Sequence, residues 1–409
     1  MTRREAPRVG LVTSQMSLGG VDTFLFRLGR SLQDRGCHVE ILTTEGDGPW
    51  FPLAQEKGLQ ARSITRSVLG GWIQPLKIAR ELGRADYDIV FVNHAKYAQA
   101  ALGMLPDRVA VVPIVHNDLD FVYRVAAVNA NAWNVAVCVS PGVLRKFTTA
   151  VPGRPSVCIT CGVEVPEGRL AARKEDDKIR LVFIGRLEHA QKGVLMLPEI
   201  VRKCREQGAN AELVVVGTGA DEDRLRIGFR ESGVEDSVTL LGGLRPEGIY
   251  NVLLESDILL MPSFFEGLGL VLLEAMACGC VPVASRLEGI TDSVIDDGVD
   301  GCLPAVGDVD GFAHAITTLA VNTQRRRKMA AAARQKIAAS FSVEIMGRAY
   351  WTLIRDLLAG RYPLARPRRT QWPDLPLILT WKDFLPTPCL SGLRSANKIS
   401  RRLLGLARS

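Results

Sequence analysis

Short apolar runs recur at regular spacing through most of the chain. RVGLVTS (8–14), HVEILTT (38–44), YDIVFVNH (87–94), VAVVPIVHN (109–117) and VAVCVS (135–140) read as buried strands rich in β-branched residues. Amphipathic stretches separate them, the first predicting a helix from about Val21 to Arg35 after the turn at Gly19 and Gly20. AARKEDDK (171–178) has nothing to offer a core and reads as a linker. A second series follows: IRLVFIG, AELVVVG, VTLLGG, DILLMPS and VPVAS, with helices from Gly193, Asp221, Pro246 and Gly269 between them. Helices fill 308–359. This alternation predicts an α/β protein of two Rossmann-like, doubly wound domains, whose ligand edges face a central cleft. The first domain spans 1–170, the second 179–345, and a helix over 346–360 crosses back to the first.

Composition narrows this picture. The 409 residues are 47% hydrophobic and 23% charged, as in a globular protein. No apolar run reaches the roughly 18 residues that span a bilayer. MTRREAPRVG leads straight into a strand, which predicts no signal peptide, and nine cysteines without ligand-like spacing fit a reducing, cytoplasmic location. Of the net charge of +7, most belongs to the Pro-rich tail 361–409, where ten Lys/Arg face two Asp/Glu. Trp372, Trp381, Phe384 and several leucines interleave with those charges. The tail therefore suits an anionic membrane surface at the inner face rather than nucleic acid, and only a short helix near 394–406 is expected in it. The segment 62–84 mixes cations with Trp72, Ile73 and Leu76, but packing on the sheet is its simpler reading.

The chemistry concentrates in FFEGLGLVLLEAMACGC (264–280). Glu266 lies on a loop at the carboxyl end of a predicted strand, and Glu274 lies inside the next helix. The helix start leaves the amides of Leu270 and Val271 pointing at a ligand, which suits a phosphate. Glu274 can accept both hydroxyls of a ribose, and Glu266 can hold sugar hydroxyls. GRLEHAQKG (185–193) sets Arg186 at another strand end, with Lys192 opening the next helix. Two cations there can neutralise a departing diphosphate. No metal is required; the pairs Asp86/Asp88, Asp118/Asp120 and Asp308/Asp310 read as chance spacings.

These motifs resemble those of the retaining glycosyltransferases of family 4, glycosyl transferases group 1, over roughly residues 8–358. Glu266 and Glu274 match the family's E-x7-E motif, and GRLEHAQKG its G-R-x(n)-K-G motif. The resemblance implies the GT-B fold, with an acceptor domain first and a nucleotide-sugar donor domain second. It implies that Gly20 closes over the diphosphate, that Gly217 in VVVGTG lies near the donor phosphate, and that Gly243 lies by the base. His116 would reach toward the transferred sugar, with His94 near the acceptor; His189 and His314 read as surface residues. Many relatives carry Gly-Gly and a Glu where this chain has Thr291-Asp292, in a loop expected at the sugar or diphosphate.

The resemblance implies transfer of a sugar from a UDP- or GDP-sugar to a glycan or lipid-linked acceptor with retained configuration, in cell-surface polysaccharide or lipopolysaccharide biosynthesis. Double displacement through Glu266 and a front-face route both remain open. So do a nucleotide-sugar 2-epimerase of the same fold and a non-catalytic nucleotide-sugar or glycan binder.

Overall fold

The computed structural model describes residues 6–17, 19–67, 71–167, 178–365 and 367–368. The first lobe runs β1 (Arg8–Thr13), α1 (Gly20–Gln33), β2 (His38–Thr43), α2 (Phe51–Glu56), β3 (Gln60–Ser63), α3 (Gln74–Arg84), β4 (Ile89–Asn93), α4 (Lys96–Ala101), β5 (Ala110–Val115), α5 (Asp120–Ala127), β6 (Ala136–Cys138), α6 (Pro141–Ala150) and β7 (Ser156–Cys158). The second runs β8 (Lys178–Ile184), α7 (His189–Lys192), α8 (Leu197–Glu206), β9 (Asn210–Val216), α9 (Glu222–Glu231), β10 (Val238–Gly242), α10 (Pro246–Glu255), β11 (Ile258–Met261), α11 (Leu270–Ala277), β12 (Val281–Ala284), α12 (Val309–Val321), α13 (Thr323–Ser340) and α14 (Val343–Leu358).

Each lobe is a parallel sheet, ordered β3-β2-β1-β4-β5-β6-β7 in the first and β10-β9-β8-β11-β12 in the second. Strand order reverses between β1 and β4, and again between β8 and β11. Crevices open at the carboxyl ends of such strands. The exits of β1 and β4 lead to Gly20 and His94; those of β8 and β11 lead to Arg186 and Glu266.

The unbroken apolar runs are buried on both faces, as parallel sheets demand. Every residue of β4 is buried, as is every residue of β11 and β12. Helix α11 is buried from Leu272 to Ala277, which is why its sequence is apolar all round except for Glu274. The sequence pattern missed β3 and β7. Both are short, and neither has a fully buried residue to mark it.

The chain crosses between lobes where Val163 donates to Phe341 and accepts from Val343. Helix α14 then lies on α1, where Gly347 leaves no room for a side chain: a Cβ would sit 1.9 Å from Ser31 Oγ. Arg35 reaches Glu344 at 2.7 Å beside this contact. Beyond α14, Arg368 donates to the carbonyls of Pro106, Val109 and Ala132 at the amino ends of the first sheet.

Several expectations fall wholly or partly outside the described residues. The linker at 171–178 lies outside the described residues except for Lys178, which already belongs to β8 and pairs with Asn210. The tail lies outside them from 369 on, including the helix expected near 394–406 and the apolar residues read as membrane-facing. In the segment 62–84, Ile78 and Leu82 are fully buried against the lobe, Arg62 is tied to Glu40 and Glu81, and Leu76 is exposed. Among the described residues no helix is long and apolar enough to cross a membrane.

Candidate functional site

The exits of β8 and β11 meet through glycine. Gly193 has φ +63°, and a Cβ on it would lie 2.0 Å from the Pro262 carbonyl oxygen. Only glycine permits both the backbone angle and that approach. Phe264 N–H donates to Gln191 O at 2.8 Å and fixes the same contact. Lys192 is thereby delivered to the glutamate turn: its Nζ lies 2.6 Å from Glu266 Oε1. Lys192 does not open a helix, as expected, but closes the single turn α7; Gly193 in the left-handed region prevents continuation, and the next α-helix starts at Leu197.

Glu266 is not an outer, open residue. It is buried, and its Oε1 also accepts from Ser263 Oγ at 2.7 Å. A buried carboxylate is tolerable because the ammonium and hydroxyl replace its water. Arg186, by contrast, is turned to solvent, with its guanidinium 3.2 Å from Glu188. The carbon chain of Lys192 passes Gly185, so the backbone at Arg186 is adjacent although its side chain points away. The loop carrying Gly217 packs on this corner: a Cβ at Gly217 would lie 1.8 Å from Gly185 O, and Gly217 N–H donates to Gly242 O, beside exposed Gly243.

The glutamate turn also touches the opposite lobe. A Cβ on Gly267 would fall 1.7 Å from the carbonyl oxygen of His116, at the end of β5. At the N-terminus of α11, Gly269 has φ +83° and supplies no side-chain cap, leaving the first-turn amides of Leu270 and Val271 without an intrahelical partner. Gly20, at the start of α1, faces that terminus; its Cβ would sit 3.6 Å from Leu270 Cβ. Gly20, His116, Glu266, Leu270 and Lys192 thus surround one point between the lobes.

Buried His116 and half-buried His94 form a pair on the first lobe's side, with ring centroids 5.3 Å apart. Asn93 donates to Val12 O, so its Oδ1 accepts from His116 Nε2 at 2.8 Å. Burial, with His94 alongside, pushes His116 well below the usual histidine range, and burial lowers His94 to about 4. Both rings are therefore neutral near pH 7. His94 sits at φ +47°, an unusual conformation for a side-chain-bearing residue, and its Nε2 is buried without a hydrogen-bond partner. In the first turn of α1, burial pushes Asp22 up to about 8, a Ser17 N–H offsetting part of the effect.

Glu274 has a partner that sequence reasoning missed. Arg27, from α1, places Nη2 2.7 Å from Glu274 Oε1, 3.1 Å from Tyr250 Oη and 3.3 Å from Glu164 Oε2. Both members of the Arg27–Glu274 pair are buried. Burial raises the Glu274 carboxyl above its ordinary value, and Arg27 opposes that rise. Beside them, a cavity of about 550 Å³ separates α1 from α10 and the start of α14. Arg27 lies seven residues, two helical turns, after Gly20, which is the one signal that could have found it. Ser263, three residues before Glu266, and Asn93, beside His94, were equally legible but unremarked.

The remaining residues singled out in the sequence are placed as follows in the fold. Thr291 is buried and spent inside its own loop, accepting from Leu287 N–H and donating to Ser285 O. Asp292 accepts from Gly289 N–H. The loop meets the first lobe through Gly142 N–H to Gly289 O at 2.7 Å and Arg145 to Glu288. His189 is half-buried rather than a surface residue: its Nδ1 accepts from Leu195 N–H and its ring meets Phe264 edge-on. His314 is exposed. Asp88, Asp118 and Asp308 serve Arg8 N–H, Tyr123 with Lys146, and the cap of α12. Among the described residues, no three His, Cys, Asp or Glu side chains gather as metal ligands.

Family models match most of the chain. Residues 18–166 match the model described as Glycosyltransferase Family 4, and residues 166–336 that described as Glycosyl transferases group 1. The chain is 25% identical to the N-acetyl-alpha-D-glucosaminyl L-malate synthase of Bacillus anthracis, over 85% of this chain and 96% of that protein. It is 25% identical to the phosphatidyl-myo-inositol mannosyltransferase of Mycolicibacterium smegmatis, over 78% and 86%. The fold is similar to that of Anabaena HepE solved with UDP and glucose, at TM-score 0.73 and 20% identity, covering 86% of this chain and all of that one.

Proposed function

The chain belongs to the group 1 glycosyltransferases of family 4, with the two-domain GT-B fold, and from that premise we propose that it moves a sugar from a UDP- or GDP-sugar to a glycan or lipid-linked acceptor with retention of configuration. The observation that carries this reading is the meeting of Lys192, Glu266 and the α11 terminus of one lobe with Gly20 and His116 of the other. In this reading the diphosphate rests on the amides of Leu270 and Val271 beneath Gly20. Lys192 neutralises it as the glycosidic bond breaks. Preorganised charge of this kind contributes on the order of 10²–10³ in rate per donor. Arg186 adds its charge from outside by turning from Glu188. The loop at Gly217 stands near the phosphates, and Gly243 beside the base.

Glu266 positions the sugar in this scheme. Its Oε1 is already engaged by Lys192 and Ser263, which favours a hydrogen-bonding role over attack at the anomeric carbon. The front-face route follows, with the leaving phosphate accepting the acceptor's proton. A neutral His116, tied through Nε2 to Asn93, suits a hydrogen bond to a sugar hydroxyl rather than a cationic one to phosphate. The chain's own residues supply these functions without calling on a metal. The basic tail would bring the enzyme to an anionic membrane surface at the cytoplasmic face, in polysaccharide or lipopolysaccharide assembly. Binding to anionic vesicles at low salt, lost on removing 369–409, tests that part.

The decisive experiment is incubation of the full chain with a panel of UDP- and GDP-sugars. Slow release of UDP or GDP, with the first-formed sugar anomer matching the donor by NMR, is expected. A 2-epimerised sugar, or tight binding without turnover in the presence of any acceptor, would replace this reading with an epimerase or a binder.

A further inference from the structure

Arg27 is buried with its Nε and Nη1 lacking any hydrogen-bond partner. A guanidinium in that condition is costly, and the cost needs a reason. Its shortest contact is the 2.7 Å bond to Glu274, 247 residues away and in the other lobe. It also lines the interlobe cavity, with Tyr250 and Glu164. We propose that Arg27 is a positioning residue for donor binding: reaching from the first lobe, its guanidinium pairs with the Glu274 carboxylate and turns it toward the ribose diol, so the ribose seat is complete only when the lobes are closed. This rests on the reading of Glu274 as the ribose ligand.

The chemistry follows from what faces Glu274. Tyr250 comes from α10, Glu164 and Cys161 from the crossover segment, and Cys278, the residue that caps α11, lies by Tyr250. Helix α13, which packs on α11, brings the apolar Ala333 and Ile337. Arg27 is the sole cation acting on Glu274 among the described residues. Burial favours the protonated carboxyl, and a protonated carboxyl has one acceptor fewer for the diol. Removing Arg27 therefore leaves Glu274 protonated at low pH, and donor binding comes to depend on its titration.

The test is calorimetric binding of UDP and of GDP to the full chain between pH 6 and 9, for wild type, Arg27→Gln, Arg27→Lys and Glu274→Gln. For whichever nucleotide binds, wild-type affinity should be flat across the range. Arg27→Gln should bind at least about tenfold more weakly at pH 6 and recover by up to about tenfold per pH unit, the slope of one linked proton. Arg27→Lys should restore the flat profile, and Glu274→Gln should be weak at every pH. Arg27→Met carries the same test if glutamine prevents folding. A profile for Arg27→Gln parallel to wild type, tighter binding by it, or a lysine variant no better than glutamine would overturn the inference. Wild-type affinity in Glu274→Gln would remove the ribose reading and this inference together.

Discussion

Gly267 of the second lobe rests directly on the main chain of His116 in the first, so that even a methyl group would collide with the His116 carbonyl. The contact joins the glutamate turn to the end of β5. The closed arrangement of the lobes thus depends on a missing side chain at the centre of the site.

Gly267→Ala should hold the lobes apart while each stays folded. Overpacking typically costs about 1–3 kcal/mol, so turnover should fall by roughly 10–100-fold. Small-angle scattering should show a larger radius of gyration than wild type, and an unchanged radius with normal turnover would refute the role given to this contact.

Lys192→Ala should strand the Glu266 carboxylate with Ser263 alone. Leaving one member of a buried pair uncompensated costs about 3–5 kcal/mol. The double variant Lys192→Met/Glu266→Gln has no charge to strand and should regain most of that stability in urea melts. It should remain without turnover. Recovery of turnover along with stability would mean that the pair serves the fold and not the reaction.

The paired histidines should make the first lobe sensitive to acid. Burial holds both below the ordinary imidazole value, His94 at about 4. The unfolded chain therefore binds more protons than the folded one between the folded values and about 6.5. Stability should be complete above that upper limit and decline as pH falls through the window. His94→Gln should flatten the decline in denaturation midpoints between pH 7 and pH 5. An equally steep fall in the variant would place the acid sensitivity elsewhere.

Arg368→Ala should destabilise the first lobe by about 2–3 kcal/mol, given three charged, part-buried hydrogen bonds to backbone carbonyls. Turnover per folded molecule should be unaffected, since the strap lies at the amino ends of the strands, away from the glutamate turn. A selective loss of turnover would show that the strap reaches the cleft.

Much of this molecule was legible as written. The alternation of fully apolar runs and amphipathic stretches yielded both sheets, because strands buried on two faces carry their environment in their own composition. β3 and β7 escaped because short, half-buried strands leave no such mark. Glu266, Glu274, Lys192 and Gly193 were legible because strand exits and helix starts are local, and their residue types state what they can bind. The sequence pattern read Gly193 as a helix start, and only the fold showed that it ends a turn, in the left-handed region and against Pro262. Tertiary structure alone decided which exits meet: Arg27 on Glu274, Gly20 against Leu270, Gly267 on His116. Those partners are separated by up to 250 residues, from Gly20 to Leu270, and a pairing made by the closing of two lobes has no periodicity in the chain that could announce it.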